Sequence, residues 1–443
     1  MSFSAHQFPA RNQKPSLWAR FMWTMTDLIV CRLYPCFITG LEHYSQTSGT
    51  LAVSNHRRDN DGPLVASKLL LRKNGGIVAP LPSFAAREDL FEKRFLANYL
   101  HCWPGFVRYF LGFIYLRPFL VGTYPLQRTH GRGLASVLHE VIDYLGDMPI
   151  VEVLRPKSLT YYAAKLGFNP NTTTVKELLK KHEYILWQDR YGYRHFQIKV
   201  FTRLKPFLNS LIDQQIDFFV QMLNHDQVIL LEPEGQLSLD GSLQRPRSAL
   251  YDLITRSSNP VHVLPISITY DSLTIQKQRI FIDIQPELSE LEKLPKHIID
   301  DQVTRSVWAG CRVTGSQLAF GFLHLNYFNS KNYWSEVEMF EHVYAAAQRC
   351  QQAKIPIDPC LENKESCKLR ILDILTWGKQ QKFFAMEGDL LHIIDPDMPP
   401  PWLPNGASTL LEYLRTELLE TVGIPRAYDL GLLPALHKAV LPS

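Results

Sequence analysis

A histidine that closes an apolar run, followed five residues later by an aspartate, is a pair able to handle a proton. The stretch VSNHRRDNDGP (53–63) holds such a pair in His56 and Asp61. An imidazole at the end of a strand projects at a sheet edge, where α/β proteins place ligands. A carboxylate across the turn can fix its tautomer and stabilise the ring once it is charged. That is the base and orienter of a triad without a protein nucleophile, so the attacking hydroxyl would belong to the substrate. The spacing is weak by itself, because a chain with 15 histidines is expected to show about one such pair by chance. Asp61 also reads as the N-cap of a helix, with His56 a turn residue.

Three later segments could supply the rest of a site. LGFIYLRPF (111–119) places Arg117 at the end of an apolar strand, and LEPEGQLS (231–238) places Glu232, Glu234 and Gly235 at the end of another. VLPISITYD (263–271) carries Pro265 early in a third. Taken singly, an arginine ending a strand is a surface residue, a Glu-Gly pair is turn chemistry, and a proline opening a strand is commonplace.

The elements that must position these residues follow from periodicity. TLAVSNH (50–56) predicts a strand and DGPLVASKLLLRK (61–73) a helix with Pro63 in its first turn. Short strands are expected at 76–80, 112–118, 227–235 and 261–271, and helices at 84–100, 133–147, 216–226 and 248–258. This alternation implies an α/β core with a largely parallel sheet flanked by helices. Residues 150–210 interrupt the rhythm with a helix and a hairpin expected to turn at DRYG, enough for a small inserted module. After 290 the pattern becomes mainly helical. The domains read as 1–45, an interfacial or core-docked helical segment; 46–149 and 211–290, the two parts of the core; 150–210, the insert; and 291–443, a helical C-terminal domain.

With 46 % hydrophobic and 20 % charged residues the chain is globular, and 443 residues suggest two to three units. A net charge of +4 permits attraction to an anionic surface without demanding it. Seven scattered cysteines give no zinc spacing, so reduced thiols in a cytoplasmic protein are expected and no metal. No Gly-rich nucleotide loop occurs and no nucleic-acid partner is expected; no G-x-S-x-G elbow occurs, which disfavours a hydrolase. No signal peptide is expected, and the most apolar segment (16–38) is broken by Arg20, Asp27 and Arg32, so it would lie on a membrane surface or dock on the core.

In order along the chain, Asn55-His56…Asp61, the strand ending in Arg117, Pro233-Glu234-Gly235 and the apolar strand with Pro265 resemble the motifs of the glycerophospholipid acyltransferase superfamily. The segment FAAREDL (84–90) is similar to a short piece the family has between its first two motifs. The resemblance covers roughly 45–130 and 215–275. It implies an acyltransferase-type fold and transfer of an acyl group from acyl-CoA or acyl carrier protein, as co-substrate rather than cofactor, to a hydroxyl of a glycerol phosphate. It further implies His56 as general base, Asp61 as its orienter, Arg117 as the acceptor-phosphate clamp, and Glu234 with Gly235 shaping the acceptor pocket. The third motif of the family continues Gly-Thr-Arg-Ser, whereas this chain reads Gly235-Gln236-Leu237-Ser238. Arg245 and Arg247 are candidate replacements for the lost guanidinium, and Arg57 and Arg58 further candidate phosphate contacts. A glycerol 3-phosphate acceptor is favoured, with lysophosphatidate second, and the enzyme is expected to be peripheral on a membrane. The competing readings are a degenerate homologue that binds lipid or carrier protein without turnover, and an acyltransferase acting on a non-lipid alcohol.

Overall fold

A computed structural model describes residues 34–44, 49–58, 61–70, 83–87, 104–113, 123–126, 133–189, 192–235, 237–328, 333–403 and 407–432, with Leu17, Phe21, Thr24, Met25 and Leu28 ahead of them. The chain divides into two compact units, one formed by Met1–Ser4 with Ser83–Gln221 and the other by Ala5–Pro82 with Met222–Ser443.

The second unit is a mixed α/β structure. Its strands are β1 (Cys36–Thr39), β2 (Thr50–Ser54), β3 (Val228–Leu231), β4 (His262–Asp271) and β5 (Arg279–Ile284), laid side by side in the order β1-β5-β4-β2-β3. β2 runs parallel to β3, with Val53 opposite Leu231, and parallel to β4, with Ser54 opposite Ile266. β1 is parallel to β5, and β4 with β5 forms the antiparallel contact. Every residue of β2 and β3 is buried, which is why both read as unbroken apolar runs rather than alternating ones. Each fully buried Leu or Val on them contributes about 1.5–3 kcal/mol.

Helix α1 (Asp61–Leu70) follows β2, and α2 (Ser248–Arg256) precedes β4. Beyond the sheet come α3 (Lys296–Ala309), α4 (Gly315–Phe328), α5 (Glu336–Gln352), α6 (Lys364–Gln380) and α7 (Leu410–Val422). They enclose an apolar core that includes Phe320, Val343, Ile374 and Leu414. α5 is started by a reciprocal cap between Ser335 and Glu338. A small antiparallel three-stranded sheet, Trp334–Ser335, Phe384–Glu387 and Leu390–Ile393, stands beside these helices.

The sheet end is tied to this helical part by a buried ionic network. The Asp271 carboxylate, fully buried at the end of β4, accepts from Arg370 Nε at 2.6 Å, Ser316 Oγ at 2.5 Å and Arg279 at 2.5 Å. Burial alone would raise its pKa, but the Arg370 and Arg279 guanidiniums hold it well below the usual carboxylate range.

The first unit holds a parallel strand pair, Ser83–Arg87 with Thr123–Leu126, and the helices Gly105–Leu111, Leu134–Leu145, Pro156–Leu166, Val175–Gln188 and Ile198–Asn224, the last of which runs on past Gln221. Leu138, Val141, Ile150, Tyr162, Leu178, Phe196 and Leu204 belong to its apolar core, which begins at Leu134, upstream of the boundary expected at 150.

Three expectations need correction. Residues 83–87 form a strand where a helix was expected from 84, since Phe84-Ala-Ala fits either period over so short a run. Gly112 and Phe113 form a turn after a helix rather than the start of a strand, with 114–118 outside the described residues. Among the described residues around DRYG, where 190 and 191 lie outside them, no hairpin forms: a short 3-10 helix over Gly192–His195 leads into the 27-residue helix Ile198–Asn224. The aromatic and β-branched residues of this segment suggest strand, but tertiary burial of Val200, Leu204 and Leu208 on one helical face prevails. The strand expected at 76–80 lies outside the described residues, as does most of 16–38.

Candidate functional site

Parallel neighbours that stop together bring the residues after them to one edge. β2 and β3 are such a pair, and the register Val53–Leu231 delivers His56 to the Glu232–Gly235 turn. Asn55 sets the approach. Its amide Oδ1 accepts from Ile268 N–H at 2.7 Å and its Nδ2 donates to the Ile268 carbonyl at 2.9 Å, so the side chain extends the ladder beyond the last paired residue of β2.

His56 is buried, 7 % exposed, and its Nδ1 lies 3.0 Å from Glu232 Oε2 and 3.5 Å from Asp61 Oδ2. Neither contact is aligned as a hydrogen bond, so charge rather than a directed proton holds the ring here. Burial on its own would lower the pKa of this histidine. The Glu232 carboxylate, with Asp61 behind it, overcomes that and raises it to about 10. The two carboxylates thus favour the charged ring, and the neutral ring able to accept a proton is reached as pH rises.

Asp61 is held by three donors. Its Oδ2 accepts the backbone N–H of Arg57 at 2.5 Å and of Arg58 at 2.6 Å, and its Oδ1 accepts the Tyr270 hydroxyl. The carboxylate thus reaches back into the loop that carries His56, which makes it a brace for that loop. Glu234 is buried as well, and its Oε1 accepts the His56 backbone N–H at 3.3 Å. Burial, opposed by the Arg57 charge, pushes its carboxyl up to about 7. Gly235 follows with φ +66°, a conformation only glycine adopts freely, and closes the turn by donating to the Glu232 carbonyl at 3.0 Å.

The arginines separate. Arg57 is buried with its guanidinium over the Trp308 ring at 4.6 Å, 3.5 Å from Glu417, and donating to the Gly241 carbonyl at 3.2 Å. These contacts commit it to the interior of the unit. Arg58 lies between the Tyr270 and Trp402 rings, 4.4 and 4.6 Å from their centres, and donates to Ser272 Oγ at 2.7 Å. Arg247 folds against the Glu234-Gly235 turn, its Nε donating to the Glu234 carbonyl at 3.3 Å. Arg245 is exposed. Arg117 and Gln236 lie outside the described residues.

Two members of the site had no role assigned from the sequence. Glu232 was noted as an acidic residue directly after an apolar strand, but its value depends on β3 lying beside β2. Tyr270 carried no signal. His56 Nδ1, Asp61 and Glu232 also form a group whose ligand atoms lie within 4.8 Å of one another, a spacing that suits a divalent cation. Three hydrogen-bond donors already occupy the Asp61 carboxylate, which favours a proton on the imidazole over a metal ion.

Among the described residues no helix is long and apolar enough to cross a membrane. No family model and no curated protein matches the chain. Among solved structures it is similar to the 1-acyl-sn-glycerophosphate (LPA) acyltransferase, PlsC, from Thermotoga maritima, at 15 % identity over 67 % of this chain and 83 % of that one, with a TM-score of 0.32.

Proposed function

We propose that the chain is an acyltransferase that moves an acyl group from a thioester, acyl-CoA or acyl carrier protein, to a hydroxyl of glycerol 3-phosphate, at a membrane surface. The observation that carries this reading is the imidazole of His56, with Nδ1 facing two carboxylates, Glu232 just past β3 and Asp61 at the start of α1. Neutral His56, keeping the Nδ1 proton toward Glu232 and Asp61, takes the acceptor's hydroxyl proton at Nε2. The freed oxygen attacks the thioester carbonyl, the C–S bond breaks, and the imidazolium returns the proton to the departing thiolate. The two carboxylates stabilise the charged ring that this sequence creates, the role of the orienter in a triad. Glu234 fixes the His56 backbone, and Arg247 at the same turn is the cation on hand for the acceptor phosphate.

Lysophosphatidate is the second acceptor considered, and the test separates them. The purified protein is given an acyl thioester with glycerol 3-phosphate and lysophosphatidate side by side, and the products are resolved. The expected result is an acyl-glycerol phosphate whose formation falls by about 10²–10⁴-fold in His56→Ala, the usual contribution of a positioned base. Equal turnover by the wild type and the variant would refute the role of His56. Binding of lipid or carrier protein without any turnover would identify a degenerate homologue.

A further inference from the structure

Outside the His56 site, a second constellation lies wholly within the first unit. Ser158 stands in the first turn of the helix Pro156–Leu166, and its Oγ is 3.0 Å from His195 Nδ1. The other ring nitrogen of His195, Nε2, is 3.2 Å from Asp189 Oδ1. Asp189 follows the helix Val175–Gln188, and its second oxygen accepts the hydroxyl of Tyr162, one turn beyond Ser158 on the same helix.

The donors and acceptors fix the tautomer. A carboxylate can only accept, so Nε2 carries the proton and Nδ1 keeps its lone pair. That lone pair faces the Ser158 hydroxyl, which therefore donates to it. Nucleophile, base and orienter are then in series, as in a Ser-His-Asp triad, with the two ring nitrogens exchanged relative to the usual arrangement. The backbone that carries the ring is anchored: the His195 carbonyl accepts from Arg155 N–H at 2.7 Å, and the Arg155 Nε donates to the next carbonyl, that of Phe196, at 2.7 Å. The His195 and Asp189 side chains are 16 % and 14 % exposed, and Ser158 is half-buried, so the cluster is shielded yet open at the serine. Pro156 opens the helix, and the Lys157 and Ser158 N–H groups that follow have no acceptor within it. Groups of that kind stabilise the negative charge that develops on a carbonyl oxygen under attack.

We propose that Ser158, with His195 and Asp189, is a second catalytic site of the chain, a nucleophilic serine that cleaves acyl esters or thioesters. This rests on the first unit alone and is independent of the role of His56. Ser158 Oγ passes its proton to His195 Nδ1 and bonds to the acyl carbon. The ester C–O or thioester C–S bond breaks, and the leaving alcohol or thiol takes the proton from His195. Water then attacks the acyl-serine with His195 again as base, releasing the carboxylic acid and restoring Ser158.

The test uses the full-length chain and an alkyl fluorophosphonate, whose P–F bond an activated serine displaces. One adduct per chain is expected, placed on Ser158 by peptide mass, together with hydrolysis of p-nitrophenyl butyrate. Both should vanish in Ser158→Ala and slow by about 10²-fold or more in His195→Ala. No adduct on Ser158 in the wild type, or an adduct forming as fast in a folded His195→Ala, would overturn the proposal. The wild-type measurement decides the matter even where the His195 variant fails to fold.

Discussion

Replacing Glu232 by glutamine removes one negative charge 3.0 Å from His56 Nδ1 while keeping the side chain's size. At that distance and an effective dielectric constant of about 20, the attraction between carboxylate and imidazolium is about 5.5 kcal/mol, equivalent to about 4 in pKa. The Glu232 side chain is 22 % exposed, so solvent screens part of this, and Asp61 remains in place. The His56 pKa, about 10 in the native protein, should therefore fall by about 2 or more in Glu232→Gln. The direct assay is an NMR titration of the His56 ring, which does not depend on turnover. The pH profile of acyl transfer provides the second readout: its alkaline rise reports the neutral imidazole and should move to lower pH by the same amount. Stability follows with a definite sign. Because the folded pKa lies above the ordinary 6.5, the stabilisation is complete below about 6.5 and is lost as pH rises to about 10, and the substitution should shrink that alkaline loss. A His56 midpoint that stays within about 0.5 of the wild-type value, against the drop expected from the Coulomb estimate, would refute the argument that Glu232 sets the charge of this ring.

Glu234, with its carboxyl raised from 4.5 to about 7 by burial, should cost stability as pH rises through that window. Glu234→Gln should abolish this slope, worth roughly 3 kcal/mol, in urea melts at pH 4.5 and pH 8. Arg370→Ala leaves the buried Asp271 carboxylate short of a partner and should destabilise the fold by about 3–5 kcal/mol; chemical denaturation checks this, and a loss under 1 kcal/mol would show the network to be dispensable. The Asp271 pairing itself should weaken in acid, because its depressed pKa makes that stability present above the ordinary carboxylate range and lost as pH falls. Dialysis against a chelator should leave acyl transfer unchanged, whereas loss restored by a divalent cation would assign His56, Asp61 and Glu232 to a metal ion instead of a proton.

Much of the architecture was legible because burial leaves a compositional trace. The unbroken apolar runs of β2 and β3, buried throughout, could only be central strands, and the capped, 3.6-periodic stretches of the C-terminal part form helices as expected. The helix expected at 216–226 is the end of a longer one, whereas residues 192–210 differ from the expected hairpin because short aromatic and β-branched runs suit either period, and only packing chooses between them.

The site divides along the same line. That His56 ends a strand and Asp61 opens a helix is local, and the sequence determined it. The spacing did not by itself determine that the two would meet: His392 and Asp397 repeat it, yet His392 lies on an antiparallel strand and no hydrogen bond or ion pair joins it to Asp397. What decided the chemistry was the neighbour of β2. Because β3 lies beside it in register, Glu232 arrives at the imidazole and Glu234 at the His56 backbone N–H, and because β4 lies on the other side, Tyr270 reaches Asp61. Strand order depends on long-range pairing that leaves no mark on either segment alone, so the carboxylates around His56 were brought together only by the tertiary structure.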